Sequence, residues 1–412
     1  MCLAAQSAAW IASFHPMPSQ SVSSLFVIIK IAERCNLNCS YCYYYADSNS
    51  EVYARPTRMS PELLGSVVEF LASSLRQVSI DHLVFVFHGG EPTLARSEPI
   101  RDFCRQARAA LGPRVRTLRF ALQTNGLRIP PAWQKLVFEE QIHVGVSIDG
   151  DRETHDAMRV DHRGRGSYDR IRASVAHLRQ LADGPGLPPI GVIAVMGDSF
   201  RGLETYRHLV DSLGFEHLKF LFPDASRDTV ELDRLAQLRL AGQLCEIFDH
   251  WLVHDQTRVE VELFDEAVRR NLAARVIPDA PARPSLGLSV LSDGSVRISD
   301  DYMAATDWFA SQAPFSVERG TLEDWLSQPR VRQILDASAS VPTGCRSCRH
   351  ARACGGGEVA HRYSSDRGFD NPSAYCTVLT LLHDHIHARL EEGLVEADRA
   401  LSIRPLELRS PA

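Results

Sequence analysis

Residues 34–45 read RCNLNCSYCYYY, which puts Cys35, Cys39 and Cys42 in a Cys-x-x-x-Cys-x-x-Cys run. The run directly follows an apolar, β-rich segment at 26–32. Three thiolates this close together suit an iron–sulfur cluster, whose irons each take a cysteine sulfur. A four-iron cubane needs four ligands, so the loop leaves one iron open to something that is not one of its cysteines. Zinc is the alternative, but structural zinc sites are closed, four-ligand sites usually built from paired Cys-x-x-Cys units.

Outward from this loop, strand-like and helix-like segments alternate between about residues 25 and 225. Strands are expected at 26–32, 83–87, 117–122, 143–148, 190–195 and 218–222. Helices are expected at 61–75, 101–111, 132–139, 170–182 and 205–213, the first opened by Ser60 as N-cap and Pro61 at the first helical position. Six β–α units of this kind argue for a parallel α/β sheet. The continuous apolar run 83–87 reads as a strand buried on both faces. In such folds ligands gather at the C-terminal strand ends.

The thiol loop sits at one of those ends, and three further motifs sit at others. Gly89 and Gly90, in His88-Gly89-Gly90-Glu91-Pro92, permit close backbone approach to a ligand, and Glu91 offers a carboxylate to a cation. Gln123-Thr124-Asn125-Gly126 and Ser147-Ile148-Asp149-Gly150 carry Asn-Gly and Asp-Gly, which turn formation alone explains equally well. Arg159 follows in His155-Asp156-x-x-Arg159; a guanidinium suits bidentate pairing with a carboxylate, and a surface ion pair is the alternative. Residues 164–167, GRGS, read as a loop before the next helix.

With Tyr41 just before the last cysteine, the loop resembles that of the radical S-adenosylmethionine (SAM) enzymes. The resemblance covers about residues 25–225 and implies a partial (β/α)6 barrel. It implies a [4Fe–4S] cluster on Cys35, Cys39 and Cys42 whose open iron is chelated by SAM. Reductive cleavage of SAM there gives methionine and a 5′-deoxyadenosyl radical that abstracts a substrate hydrogen. The family pattern assigns the SAM amino group to Gly89, Gly90 and Glu91, the cavity lining to Thr124 and Asn125, the ribose to Ser147 and the SAM carboxylate to Arg159, with Tyr41 on the cofactor side.

Residues 226–284 read as a helical bridge, with helices near 232–253 and 263–273 and a break at Pro278, Pro281 and Pro284. Segments 288–290 and 296–298 flank Ser292-Asp293-Gly294-Ser295, a β-hairpin signal through Asp-Gly. Cys345-x-x-Cys348-x5-Cys354, with Cys376 downstream, supplies four ligands, a set that fits either zinc or a fully ligated [4Fe–4S] cluster. Beside a radical SAM loop this region, about 285–380, resembles the SPASM domain, which implies auxiliary iron–sulfur clusters. Ser299 and Glu358 stand where members with two such clusters have cysteines, so the expectation is one auxiliary [4Fe–4S] cluster.

The stretches Cys354-Gly355-Gly356-Gly357, His361-Arg362-Tyr363 and 369–376 resemble the FxsB, GrrM and XyeB peptide maturases. These join an aromatic ring carbon to the Cβ of a nearby residue, forming a cyclophane. That resemblance implies a ribosomal precursor peptide as substrate and an electron donor such as flavodoxin or ferredoxin. Asp300 matches the position of the general base in sulfatase-maturing relatives, with Asp301 and a purely structural hairpin role as rivals. Other readings are sulfatase-type oxidation of Ser or Cys to formylglycine, a different SPASM peptide chemistry, and a non-catalytic iron–sulfur or zinc scaffold. An extension, 1–24, and a closing helix and tail, 381–412, complete the expected layout, with an exposed strand edge as a possible leader-peptide dock.

The chain has 412 residues, 44% of them hydrophobic and 23% charged, ordinary values for a globular protein. A net charge of −6 argues against non-specific nucleic-acid binding. No apolar run approaches the roughly 18–20 residues needed to span a bilayer. No Lys or Arg precedes Lys30, so the charged start of a secretory signal is missing. Ten cysteines, mostly clustered, favour metal ligation in a reducing, cytoplasmic compartment. Cys2, Cys104 and Cys245 read as ordinary thiols, the last two buried.

Overall fold

The computed structural model describes residues 20–45, 51–181, 189–230, 233–276 and 284–402. Cys2, Pro278 and Pro281 lie outside them. Nine strands form one sheet: β1 (Gln20–Ala32), β2 (Val78–Gly89), β3 (Thr117–Thr124), β4 (His143–Ser147), β5 (Ile190–Val195), β6 (His217–Leu221), β7 (Glu260–Val261), β8 (Ser285–Val290) and β9 (Val296–Ile298). Their spatial order is β7-β6-β5-β4-β3-β2-β1-β8-β9. Every pairing is parallel except the β8–β9 hairpin. The first six strands with their crossover helices make the expected partial barrel. β1 starts earlier than the sequence pattern indicated and takes in residues 20–25.

The hairpin is not a separate sheet. β8 pairs in parallel with β1, Val27 opposite Leu288, so the region after the bridge continues the barrel wall. The short β7 extends the opposite side and had no detectable signal in two residues. Both outer rims are closed. On β9, Val296 N–H donates to the Phe315 carbonyl (2.9 Å) and Ile298 N–H to Gln312 Oε1 (2.8 Å). On β7, Val261 N–H donates to Asp265 Oδ2 (2.9 Å). An added strand needs free edge donors, so the N–H groups of Val261, Val296 and Ile298 do not offer the edge named above as one possible peptide dock.

The expectation for 83–87 needs a second correction. Leu83, Phe85 and Phe87 are buried, while Val84, Val86 and His88 remain partly accessible. One face packs on helices, where Phe85 and Phe87 meet Phe103 and Phe120 at ring distances of 5.0–6.2 Å. The other lines a concave interior.

Ser60 caps the helix Pro61–Ser74 by accepting from Leu63 N–H at 3.2 Å. The expected bridge helices form at Arg234–His254 and Glu262–Val276. The last helix, Cys376–Ser402, packs against both. It starts at the fourth cysteine of the second group, so folding of this helix fixes that thiol. Cys104 is buried as expected, whereas Cys245 is only partly so.

Candidate active site

The thiol loop follows β1, and its packing explains the glycines after β2. A Cβ on Gly89 would lie 2.0 Å from the Ala32 carbonyl oxygen, and one on Gly90 would lie 1.9 Å from the Tyr45 hydroxyl and 2.6 Å from Arg34 backbone. Gly90 and Glu91 N–H donate to Ala32 and Arg34 carbonyls, both at 2.9 Å. The close approach at this motif is thus to the cysteine loop itself, a contact that only glycine allows.

Glu91 is fully buried and accepts from Thr93 N–H (3.0 Å), Thr93 Oγ1 (2.6 Å), Thr124 Oγ1 (2.7 Å) and Asn125 N–H (2.8 Å). Burial pushes its carboxyl up, against the pull of those donors. Its oxygens are already engaged by this chain's own groups, so it ties the ends of β2 and β3 together. Asn125 passes the connection on: its Nδ2 donates to Asn36 Oδ1 (2.7 Å) and approaches Cys35 Sγ at 3.5 Å. Leu37 N–H also donates to Cys35 Sγ (3.4 Å).

After β4, Ser147 Oγ accepts from Gln123 Nε2 at 3.0 Å. Asp149, for which the sequence left turn chemistry and a contact equally open, is the hub here. Its carboxylate receives Arg159 Nε (2.8 Å) and Nη2 (3.2 Å), the Tyr41 hydroxyl (2.6 Å) and Val195 N–H (3.1 Å). Burial opposes its charge, but Arg159 and these donors outweigh it and hold the Asp149 carboxyl below the usual range. The Arg159 guanidinium also lies 5.2 Å from the centre of the Tyr41 ring. Arg159 is thus a buried, bidentate ion-pair partner and not a surface one.

Across the interior, Asp300 forms an ion pair with Lys30 and accepts from Ser289 Oγ at 3.3 Å. Lys30 is 1% exposed, stands over the Tyr44 ring at 4.5 Å and reaches His88 Nδ1 at 3.4 Å. Neither Lys30 nor His88 was identified from the sequence; a lone lysine in an apolar strand gave the signal, since buried lysines need a partner. Asp224, just beyond β6, faces solvent in the same mouth. Partial enclosure, then Asp301, Asp300 and Glu358, push its carboxyl up to about 7.

The loop chemistry fits a cluster. Cys35, Cys39 and Cys42 are free thiols. Burial pushes the Cys35 thiol up to about 12 and raises Cys39, so these thiolates need a cationic partner, which a cluster core supplies. The N–H···S contacts at Cys35 are the kind that tune such clusters. In the second group, Cys345, Cys348, Cys354 and Cys376 line one cavity together with His350, Gly356 and Thr380. Gly355, Gly356 and Gly357 have φ of +63°, +92° and +78°, a left-handed turn that wraps the chain around Cys354. Among the described residues no three His, Cys, Asp or Glu side chains converge as one metal ion requires; a cubane instead takes each thiolate on a different iron. Ser299, capping Asp301 N–H at 3.4 Å, and Glu358 contribute oxygen and not sulfur.

Comparison with known proteins agrees with this arrangement. Residues 29–191 match the Radical SAM superfamily. A cysteine-type anaerobic sulfatase-maturating enzyme of Clostridium novyi is 32% identical over 368 residues, 86% of this chain and 93% of the relative. A serine-type enzyme of the same description from Bacteroides thetaiotaomicron is 24% identical, covering 82% and 84%. In fold, the chain is similar to native anSMEcpe solved with bound AdoMet, at a TM-score of 0.73 and 22% identity over 91% of this chain and 100% of that one. A structure of anSMEcpe with AdoMet and the Cp18Cys peptide gives 0.73 at 23% identity. The cofactors are accordingly a [4Fe–4S] cluster and SAM, and an auxiliary cluster fits the SPASM enzymes; the three-thiol loop and the four-thiol site have the donor chemistry for them. The protein belongs to the radical SAM superfamily, as an enzyme of radical chemistry related to the anaerobic sulfatase-maturating enzymes.

Proposed function

We propose that the protein is a maturase of a ribosomal precursor peptide, and that it joins a side-chain Cβ to a neighbouring aromatic ring as a cyclophane. The observation that carries a peptide-oxidising role is the buried Lys30–Asp300 ion pair on the strand that leads into the thiol loop, with Asp224 and Asp301 close enough to act on Tyr43 beside Cys42. When bound, the cluster and SAM supply a carbon radical that takes a hydrogen atom from the substrate. The chain's own part is to hold two carbons in near-attack geometry, exclude water and accept the proton released when the ring regains aromaticity; the electron released with it would pass to an auxiliary cluster held by Cys345, Cys348, Cys354 and Cys376. Asp300, held by the Lys30 ammonium, is the proposed base. Tyr41, Gly89, Gly90, Glu91, Thr124, Asn125, Ser147 and Arg159 shape the SAM side, Glu91 and Arg159 through the networks described above. A flavodoxin or ferredoxin is the proposed electron donor.

The crosslinking assignment rests on the sequence resemblance and on Ser299 and Glu358 replacing two cluster ligands. Formylglycine formation is the second reading, favoured by the activity for which the relatives are named. Co-expression with a short peptide encoded beside the gene, followed by mass spectrometry, separates them. Loss of two hydrogens with fragmentation blocked between an aromatic residue and its neighbour is expected. A hydrazide-reactive carbonyl at a Ser or Cys would favour the second reading, and Asp300→Asn with full product yield would remove Asp300 as the base.

A further inference from the structure

His88 occupies an inward position of β2, directly opposite Lys30 of β1 in register. Its Nδ1 receives the Gly89 N–H at 2.8 Å and faces the Lys30 ammonium at 3.4 Å. Both are donors with no lone pair to offer. The Gly89 carbonyl lies at 3.1 Å, but Nδ1 cannot donate to it while accepting the shorter contact. Nδ1 is therefore the acceptor, and the ring proton of the neutral imidazole sits on Nε2. Burial and the Lys30 charge push the imidazole down to about 3, so the neutral ring is the form at working pH. Among the described residues Nε2 has no hydrogen-bond partner, and His88 as a residue is half-buried, on the same face of β2 as the half-buried Val84 and Val86.

We propose that His88 Nε2–H is a substrate-orienting donor, aimed at an oxygen of the peptide, a backbone carbonyl or a side-chain hydroxyl beside the reacting carbon. The peptide, and not SAM, is the partner because His88 leans toward β1, where it meets Lys30 and Asp300. Ser147 and Arg159 belong to the β4 side. Lys30 thereby has two tasks: it holds the Asp300 carboxylate, and it fixes the His88 tautomer so that one donor always faces inward. The identity of the partner rests on the peptide-maturase reading; the tautomer does not.

Two measurements on the full, cluster-loaded chain test this. In the first, nitrogen NMR with labelled histidine identifies the His88 ring by its loss in His88→Gln. The proposal predicts an Nε2–H neutral ring with no titration between pH 5 and 8. An Nδ1–H ring, or titration near the ordinary histidine value of roughly 6.5, overturns it. In the second, binding of the co-encoded peptide and of SAM is compared across variants. His88→Leu should weaken peptide binding on the order of tenfold, one neutral hydrogen bond, and leave SAM binding unchanged. His88→Gln, which keeps an acceptor and a donor, should restore most of it. Equal peptide binding by wild type and His88→Leu, or a loss confined to SAM, overturns the proposal alone. Failure of the wild type to bind the peptide overturns the maturase reading and this inference with it.

Discussion

Replacing Lys30 by Met should leave the Asp300 carboxylate enclosed without its cation, at a cost of about 3–5 kcal/mol. Denaturant unfolding of Lys30→Met, Asp300→Asn and the double variant measures it, and the double variant should lose less than the two single losses combined, because the pair acts as a unit. Asp224 makes a separate prediction in pH. Its carboxyl rises from the ordinary 3.8 to about 7 in the folded chain. A folded value above the unfolded one means that its contribution to stability is fully present below about pH 4 and is lost as pH rises through about 7. Asp224→Asn should therefore gain stability relative to wild type at pH 8 but not at pH 4, measured by thermal unfolding across that range. A gain independent of pH would mean that Asp224 carries no such shift.

The elements that bring the site together are held by close backbone approach. Gly90→Ala should displace the thiol loop, since its Cβ would overlap the Tyr45 hydroxyl and Arg34 backbone. Iron bound at Cys35, Cys39 and Cys42 should fall while the auxiliary site stays loaded, which iron analysis and electron paramagnetic resonance can separate. Gly356→Ala should do the reverse, with φ at +92° and its Cβ 2.8 Å from Pro342. The strand and helix order was legible because apolar runs and capping residues such as Ser60 act locally. Both cysteine groups were legible from their spacing. Most partners of Glu91, Asp149 and Lys30 were not, because Thr124 and Asn125, Tyr41 and Val195, and Asp300 reach them from segments that only the fold brings together. The same reason hid the β8–β1 pairing, which joins segments more than 250 residues apart.

At the scale of the whole molecule, one continuous sheet carries the thiol loop, the inner wall and the hairpin that leads to Asp300, so these groups share one rigid frame. The four-thiol site stands beside it, anchored by the start of the last helix. Phe222 at the barrel mouth stacks on Tyr375 at 4.5 Å, next to Cys376, which joins the two regions. Among the described residues no helix is long and apolar enough to cross a membrane. The central claim is that this frame directs hydrogen abstraction to a peptide Cβ. The most direct measurement uses the co-encoded peptide deuterated at that carbon, with mass analysis of the 5′-deoxyadenosine released. Deuterium in the 5′-deoxyadenosine, matched by its loss from the modified peptide, is the predicted result. Unlabelled 5′-deoxyadenosine formed alongside a modified peptide that retains its deuterium would contradict the account.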